Sequence, residues 1–226
     1  MMNTEHVWVC GPTCVDKIRE LSKSNKTKDE LEKIITNSGN TPYLTVELAE
    51  VAKKLFDDKI VTIYGKDIKT IADSSVKLFE DNLIKKILYD AEISRKLKQE
   101  NNIPIEHFRG RLENRLEAAK FDNIAEEPYN LEGLRDNTYG VFLINIKKLA
   151  AMSFYNKELK KRIENQTKEE GFYGHFIVIF RAGEALQVYD PLSGLMKNFK
   201  DDDANLLNLL KDEDAKGNAI IISRTN

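Results

Sequence analysis

Hydrophobic positions recur along this chain with two periods, one helical and one alternating, and they divide it into three stretches. In the first, Cys14, Ile18 and Leu21 share one face of a helix predicted to begin at Pro12. Proline suits that place because its φ is fixed and the donor it lacks would go unpaired in a first turn anyway. Thr27 and Glu30 have capping-box spacing, and the stripe Leu31, Ile34, Ile35 stops at Gly39, which predicts a second, short helix. After Pro42, Leu48, Val51, Ala52 and Leu55 repeat at helical spacing, and Lys59 to Tyr64 then reads as a β-branched strand.

From about Lys66 to Thr138 the texture becomes charged and amphipathic. Val76, Phe79, Leu83 and Ile87 lie on one stripe, Phe108, Leu112 and Leu116 on another, and Pro104 separates them. Such runs mark solvated faces, so a charged helical insertion at about 66–138 is expected, with a substrate-selecting lobe as the alternative. After Tyr139 the alternation is strand-like: Val141 to Ile146, His175 to Arg181, Glu184 to Asp190 and Ala219 to Ser223. A polar helical stretch, Leu149 to Thr167, lies between the first two. Asp201, Asp202 and Asp203 precede Leu206, Leu207, Leu209 and Leu210, which fits an acidic helix N-terminus better than a calcium loop, since EF-hand spacing is absent.

Composition narrows the class. At 226 residues and 41% hydrophobic the chain can build one compact core, and no repeat or linker divides it, so a single domain over 1–226 is expected. A net charge of -2, from 35 basic and 37 acidic side chains, gives no global field to recruit nucleic acid or an anionic membrane. No apolar run approaches the roughly 18 residues of a bilayer span, and the opening residues are too short and polar for a signal peptide, so a cytoplasmic address is expected. Cys10 and Cys14 are too close in sequence to staple distant segments and read as reduced thiols. Three histidines without metal-type spacing imply neither a metal site nor a cofactor.

Chemistry concentrates in two motifs, Cys10-Gly11-Pro12-Thr13-Cys14 and Gly174-His175 with Asp190-Pro191. A hairpin turning at Ala182-Gly183 would set His175 directly opposite Asp190, Ile177 opposite Val188 and Ile179 opposite Leu186, with Cβ atoms roughly 5 Å apart. An aspartate so placed holds an imidazole in one tautomer and stabilises its charged form. Cys10 supplies a nucleophile, because a helix N-terminus and a nearby imidazolium both favour the reactive thiolate. Gly11 permits a sharp turn and space beside the sulfur, and first-turn N–H groups can donate to an oxyanion. Cys14, one turn on, reads as a small buried hydrophobe. His107 reads as a surface residue of a helix, and Trp8 as a core residue or a wall of the cleft.

These residues carry a resemblance. The chain resembles papain-like cysteine peptidases of the bacteriocin-leader-processing type, which have a C-G motif at a helix start and a later G-H and D-P. It is more similar still to the guanylyl cyclase domain-containing proteins of plants and animals. Trp8 to Cys14, Leu44 to Ala49, Phe142 to Asn145 and Tyr173 to Ile179 carry the likeness in the family's order. It implies an α+β, papain-like fold in which N-terminal helices, the nucleophile at a helix start, pack on an antiparallel sheet carrying the His and Asp. It further implies Cys10 as nucleophile, His175 as base and Asp190 as its orienting residue, acting on a peptide, isopeptide or amide bond of a peptide or protein substrate. The family's oxyanion glutamine falls at Thr4, which leaves Thr4, Asn3, His6 or backbone donors near Gly11 and Gly174 for that role. The alternatives are nucleotide cyclisation, suggested by the family's name although no Gly-rich phosphate loop or placed carboxylate pair is present, and a non-catalytic binding protein.

Overall fold

A computed structural model describes residues 10–38, 45–65, 123–125, 127–152, 155–166, 174–200, 202–211 and 217–224. The fold is mixed α+β around a seven-stranded open sheet with helices on both faces. On the N-terminal side come α1 (Cys10–Leu21), α2 (Lys28–Ser38), α3 (Thr45–Leu55) and β1 (Lys59–Tyr64). Helix α2 is capped as its sequence implies: the Thr27 N–H donates to Glu30 Oε2 at 2.7 Å, and the Glu30 N–H returns a bond to Thr27 Oγ1 at 3.2 Å. The remaining elements are β2 (Asn123–Ala125), a 3₁₀ turn (Leu131–Gly133), β3 (Tyr139–Asn145), α4 (Ile146–Ala151), α5 (Lys157–Gln166), β4 (Gly174–Ala182), β5 (Ala185–Tyr189), β6 (Met196–Phe199), α6 (Ala204–Leu210) and β7 (Ala219–Arg224).

Strand order is β2-β1-β7-β3-β4-β5-β6. Among the described strands only β1 and β2 run parallel; the other pairs are antiparallel. Alternation along each strand divides the core in two. Val61, Ile63, Val141, Phe176, Val178, Ile220 and Ile222 join α1–α3 on one face. Phe142, Ile144, Ile177, Ile179, Leu186, Val188 and Ile221 join α4, α5 and α6 on the other. This explains the unbroken apolar run from Phe176 to Phe180 in β4, because a strand covered on both faces has no polar side to show.

Several expectations need correction. Helix α1 starts at Cys10, not at Pro12, so Pro12 sits inside the first turn, where its missing donor still costs nothing. The polar stretch 149–167 is not one helix; Asn145 caps α4 by accepting from the Lys147 N–H, and α5 begins afresh at Lys157. The last part of the expected helical insertion is a parallel edge strand, β2, and a 3₁₀ turn whose Leu131, with the following Leu134, is buried. The stripes assigned to 76–116, and His107, lie outside the described residues. Of the three aspartates, Asp203 is the N-cap of α6, its carboxylate accepting from the Asn205 and Leu206 N–H groups. No helix among the described residues is long and apolar enough to cross a membrane.

Candidate active site

The β4–β5 hairpin turns at Gly183-Glu184, one residue later than the expected Ala182-Gly183 loop. Ala182 pairs with Ala185, Arg181 with Leu186, Ile179 with Val188 and Val178 with Tyr189. Gly183 carries φ +63 while Glu184 does not take a positive φ, the pattern of a hairpin turn with glycine at its first central position. His175 therefore does not stand directly opposite Asp190, and the pairs Ile177–Val188 and Ile179–Leu186 are replaced. The slip shifts each partner by two residues, which preserves the face, so the two side chains still meet across a diagonal.

They meet closely. His175 Nε2 lies 2.6 Å from Asp190 Oδ1, and both residues are fully buried. A carboxylate only accepts, so Nε2 carries the proton. The sequence around Asp190 holds its carboxylate in place. The Leu192 N–H donates to Oδ1 at 3.3 Å and the Ser193 N–H to Oδ2 at 2.8 Å. The Asp190 backbone is fixed at the same time, its N–H donating to the Leu195 carbonyl and its carbonyl accepting from Gly194 N–H. The intervening Pro191 has no N–H to compete for the carboxylate.

Electrostatics favour a charged pair. Burial alone would depress the His175 pKa, but the hydrogen bond to Asp190, the neighbouring Cys10 sulfur and the charges of both outweigh it and raise it to about 10. Burial pushes Asp190 upward, and His175 and Ser193 more than offset that, holding it below the usual carboxylate range. The other ring nitrogen, Nδ1, makes no well-formed hydrogen bond. Cys10 is near enough to favour the charged ring without standing in hydrogen-bond geometry with it.

Helix α1 is set against β4 by two residues near its start. The Cys14 thiol donates to the Phe176 carbonyl at 3.4 Å, one residue from His175. A Cβ at Gly11 would lie 3.1 Å from a Leu48 methyl and 3.4 Å from the Phe176 ring. Gly11 is helical without a positive φ, so the close approach of α1 to Leu48 of α3, with the Phe176 ring in contact beside it, and not the sharp turn expected of it, is what requires glycine. Cys10 is partly exposed while Cys14 is buried, and burial, aided by the charges of Cys10 and Asp190, raises the Cys14 pKa well above its ordinary value. Cys14 is thus an anchor held as the neutral thiol.

Of the remaining candidates, Gly174 is exposed and opens β4 opposite Asn145. Thr4, His6 and Trp8, with Asn3, lie outside the described residues. Among the described residues no group of histidine, cysteine and acidic side chains is placed to hold a metal. One neighbour escaped the sequence reading: Tyr155, 5% exposed, whose hydroxyl forms no well-formed hydrogen bond and is held protonated by burial first and then by the charge of Asp190. No motif surrounds it that would single it out. No protein-family model matches the chain, nor does any curated protein or solved structure.

Proposed function

We propose that the chain is a papain-like thiol hydrolase or acyl transferase acting on a peptide, isopeptide or amide bond. The observation that carries this reading is the divided ring of His175, bonded to Asp190 through Nε2 and leaving Nδ1 unbonded, with the partly exposed Cys10 at the start of α1 among the groups that favour its charged form. A structural histidine fully removed from water ordinarily satisfies both nitrogens; an unpaired one costs about 1–3 kcal/mol. Leaving it open beside a thiol suits a group that exchanges a proton with that sulfur.

In this mechanism the second proton of the charged His175 ring, on Nδ1, is the one Cys10 has given up, and the sulfur of that thiolate–imidazolium pair attacks the substrate carbonyl carbon. The tetrahedral intermediate places its negative charge on oxygen, where N–H groups in the first turn of α1 can receive it; Pro12 offers none, so the task falls to its neighbours. Collapse breaks the C–N bond as His175 returns its proton to the departing amine, leaving a thioester on Cys10. Water, or an acceptor amine, then loses a proton to His175 and attacks the thioester, and collapse releases the sulfur as a thiolate beside the charged ring, restoring the starting pair. Asp190 keeps the ring oriented throughout and compensates its charge.

The test is alkylation with iodoacetamide around pH 6, where an ordinary thiol reacts slowly. Fast labelling of Cys10 that is lost in His175→Ala supports the reading. Equal, slow labelling of Cys10 in both proteins would overturn it.

A further inference from the structure

Helix α1 carries a second thiol that the acyl-transfer chemistry leaves unused. Cys10 opens the helix and Cys14 follows one turn later, on the same unbroken element. Four residues of α-helix advance the chain by about 6 Å and carry it little more than one revolution, so the two cysteines stand one above the other on a single face. Their Cα atoms are then about 6 Å apart, inside the roughly 4.4–6.8 Å that a disulfide spans. The Cβ atoms at this spacing lie about 5–6 Å apart and must close by about 1–2 Å. The opening turn can supply that movement. The N–H groups of Cys10 and Gly11 have no acceptor within the helix and Pro12 has no N–H at all, so drawing Cys10 toward Cys14 breaks little backbone bonding.

Exposure gives the two sulfurs different parts. Cys10 is partly exposed, whereas Cys14 is 0% exposed and its thiol donates to the Phe176 carbonyl at 3.4 Å. A dissolved oxidant reaches the first and not the second. Once Cys10 is oxidised, a thiol held one turn away on a rigid helix acts at high effective concentration.

We propose that the first turn of α1 is a redox site, in which a peroxide oxidises Cys10 and Cys14 resolves the product as a disulfide within the helix. In the first step the Cys10 thiolate attacks one peroxide oxygen and the O–O bond breaks. Cys10 becomes a sulfenic acid, and the other oxygen leaves as hydroxide. The Cys14 sulfur then attacks the Cys10 sulfur and the S–O bond breaks. The departing hydroxide takes the Cys14 proton as water, and an S–S bond remains. Two electrons have passed from the thiol pair to the peroxide, and a small dithiol returns them by exchange. While the bond stands, the nucleophile is masked and the turn that offers N–H donors is pulled out of line, so acyl transfer stops. The bond also spares Cys10 the irreversible sulfinic stage. This regulation rests on the reading of Cys10 as nucleophile; the joining of the two sulfurs rests on the geometry of α1.

The experiment treats the reduced full chain with a slight excess of hydrogen peroxide around pH 7, with dimedone present to trap sulfenic acid, and maps both cysteines by mass spectrometry. Cys14→Ser and Cys14→Ala are run beside the parent, the serine keeping a hydroxyl that can bond the Phe176 carbonyl should alanine fail to fold. The parent should lose two hydrogens within one molecule, with Cys10 joined to Cys14, and dithiothreitol should reverse the loss. Both variants should instead hold dimedone on Cys10, at least about tenfold above the parent. Equal dimedone labelling in parent and variants, without the loss of two hydrogens, overturns the proposal. Slow, ordinary oxidation of Cys10 sinks the hydrolase reading alone, and the parent is then equilibrated with oxidised glutathione around pH 8.5, where ordinary thiols ionise. An internal disulfide there keeps the redox site. Glutathione attached to Cys10, or no bond at all, overturns it.

Discussion

Asp190 is bonded to His175 at 2.6 Å although the two do not face each other in the β4–β5 ladder. The turn after β5, not the ladder, delivers the carboxylate, through the Leu192 and Ser193 N–H groups. Truncating it by Asp190→Ala leaves a buried imidazolium without its partner. The expected cost is about 3–5 kcal/mol of stability, read from urea unfolding at neutral pH. A loss below about 1 kcal/mol would mean the pair is not charged in the folded protein.

The two cysteines should separate cleanly. Cys10 is partly exposed, and Cys14 is buried with its proton committed to Phe176. Mass spectrometry after brief iodoacetamide treatment around pH 6 should find the label on Cys10 alone, with His175→Ala slowing it at least about tenfold. Cys14→Ala should leave that labelling in place, at a cost of about 1 kcal/mol for the lost thiol hydrogen bond and packing.

Stability should fall at both ends of the pH scale, for opposite reasons. His175 is raised from about 6.5 to about 10, so its charge contributes in full below about pH 6.5 and the contribution is lost as pH climbs toward 10. Asp190 is lowered, so its contribution is present above the ordinary carboxylate value of about 3.9 and is lost as pH falls through its lower folded value. Comparing unfolding midpoints of the parent and His175→Gln from pH 2 to 10 isolates these limbs: the difference should be largest between about pH 4 and 6.5. A difference that grows above pH 8 would contradict a charged ring.

Gly11→Val tests the fit of α1 against Leu48 of α3 and the Phe176 ring. Even a single Cβ meets Leu48 at 3.1 Å, and Leu48 is itself fully buried. The branched side chain should cost about 1–3 kcal/mol and, by lifting α1 from Phe176, slow Cys10 labelling as well. Shortening the obstacle with Leu48→Ala in the same chain should restore part of both.

The elements the chain announces are those with two covered faces or explicit ends. β1 runs Lys59–Tyr64 as its β-branched residues imply, and Thr27 with Glu30 marks the start of α2. Two edge strands were silent for a physical reason. β2 is three residues long, and Met196–Phe199 shows only partial burial at alternate positions, so neither carries an apolar run. The hairpin register slipped because two adjacent loops, Ala182-Gly183 and Gly183-Glu184, share one glycine, and only the backbone shows which place it takes. That error left His175 and Asp190 on one face, which is why the pair was legible while its geometry was not. Tyr155 is buried through packing between distant segments, and no local spacing singles it out.

The place of β7 bears on how the two halves of the fold are joined. Strand β7 is hydrogen-bonded between β1 and β3, so the strand that packs on the N-terminal helices and the half bearing His175 share no continuous sheet until it is inserted. Such distant pairing is slow to form. With residues 219–224 unpaired, β1 and β3 have no strand between them, so the sheet that backs both α1 and the strand bearing His175 is whole only once β7 is in place.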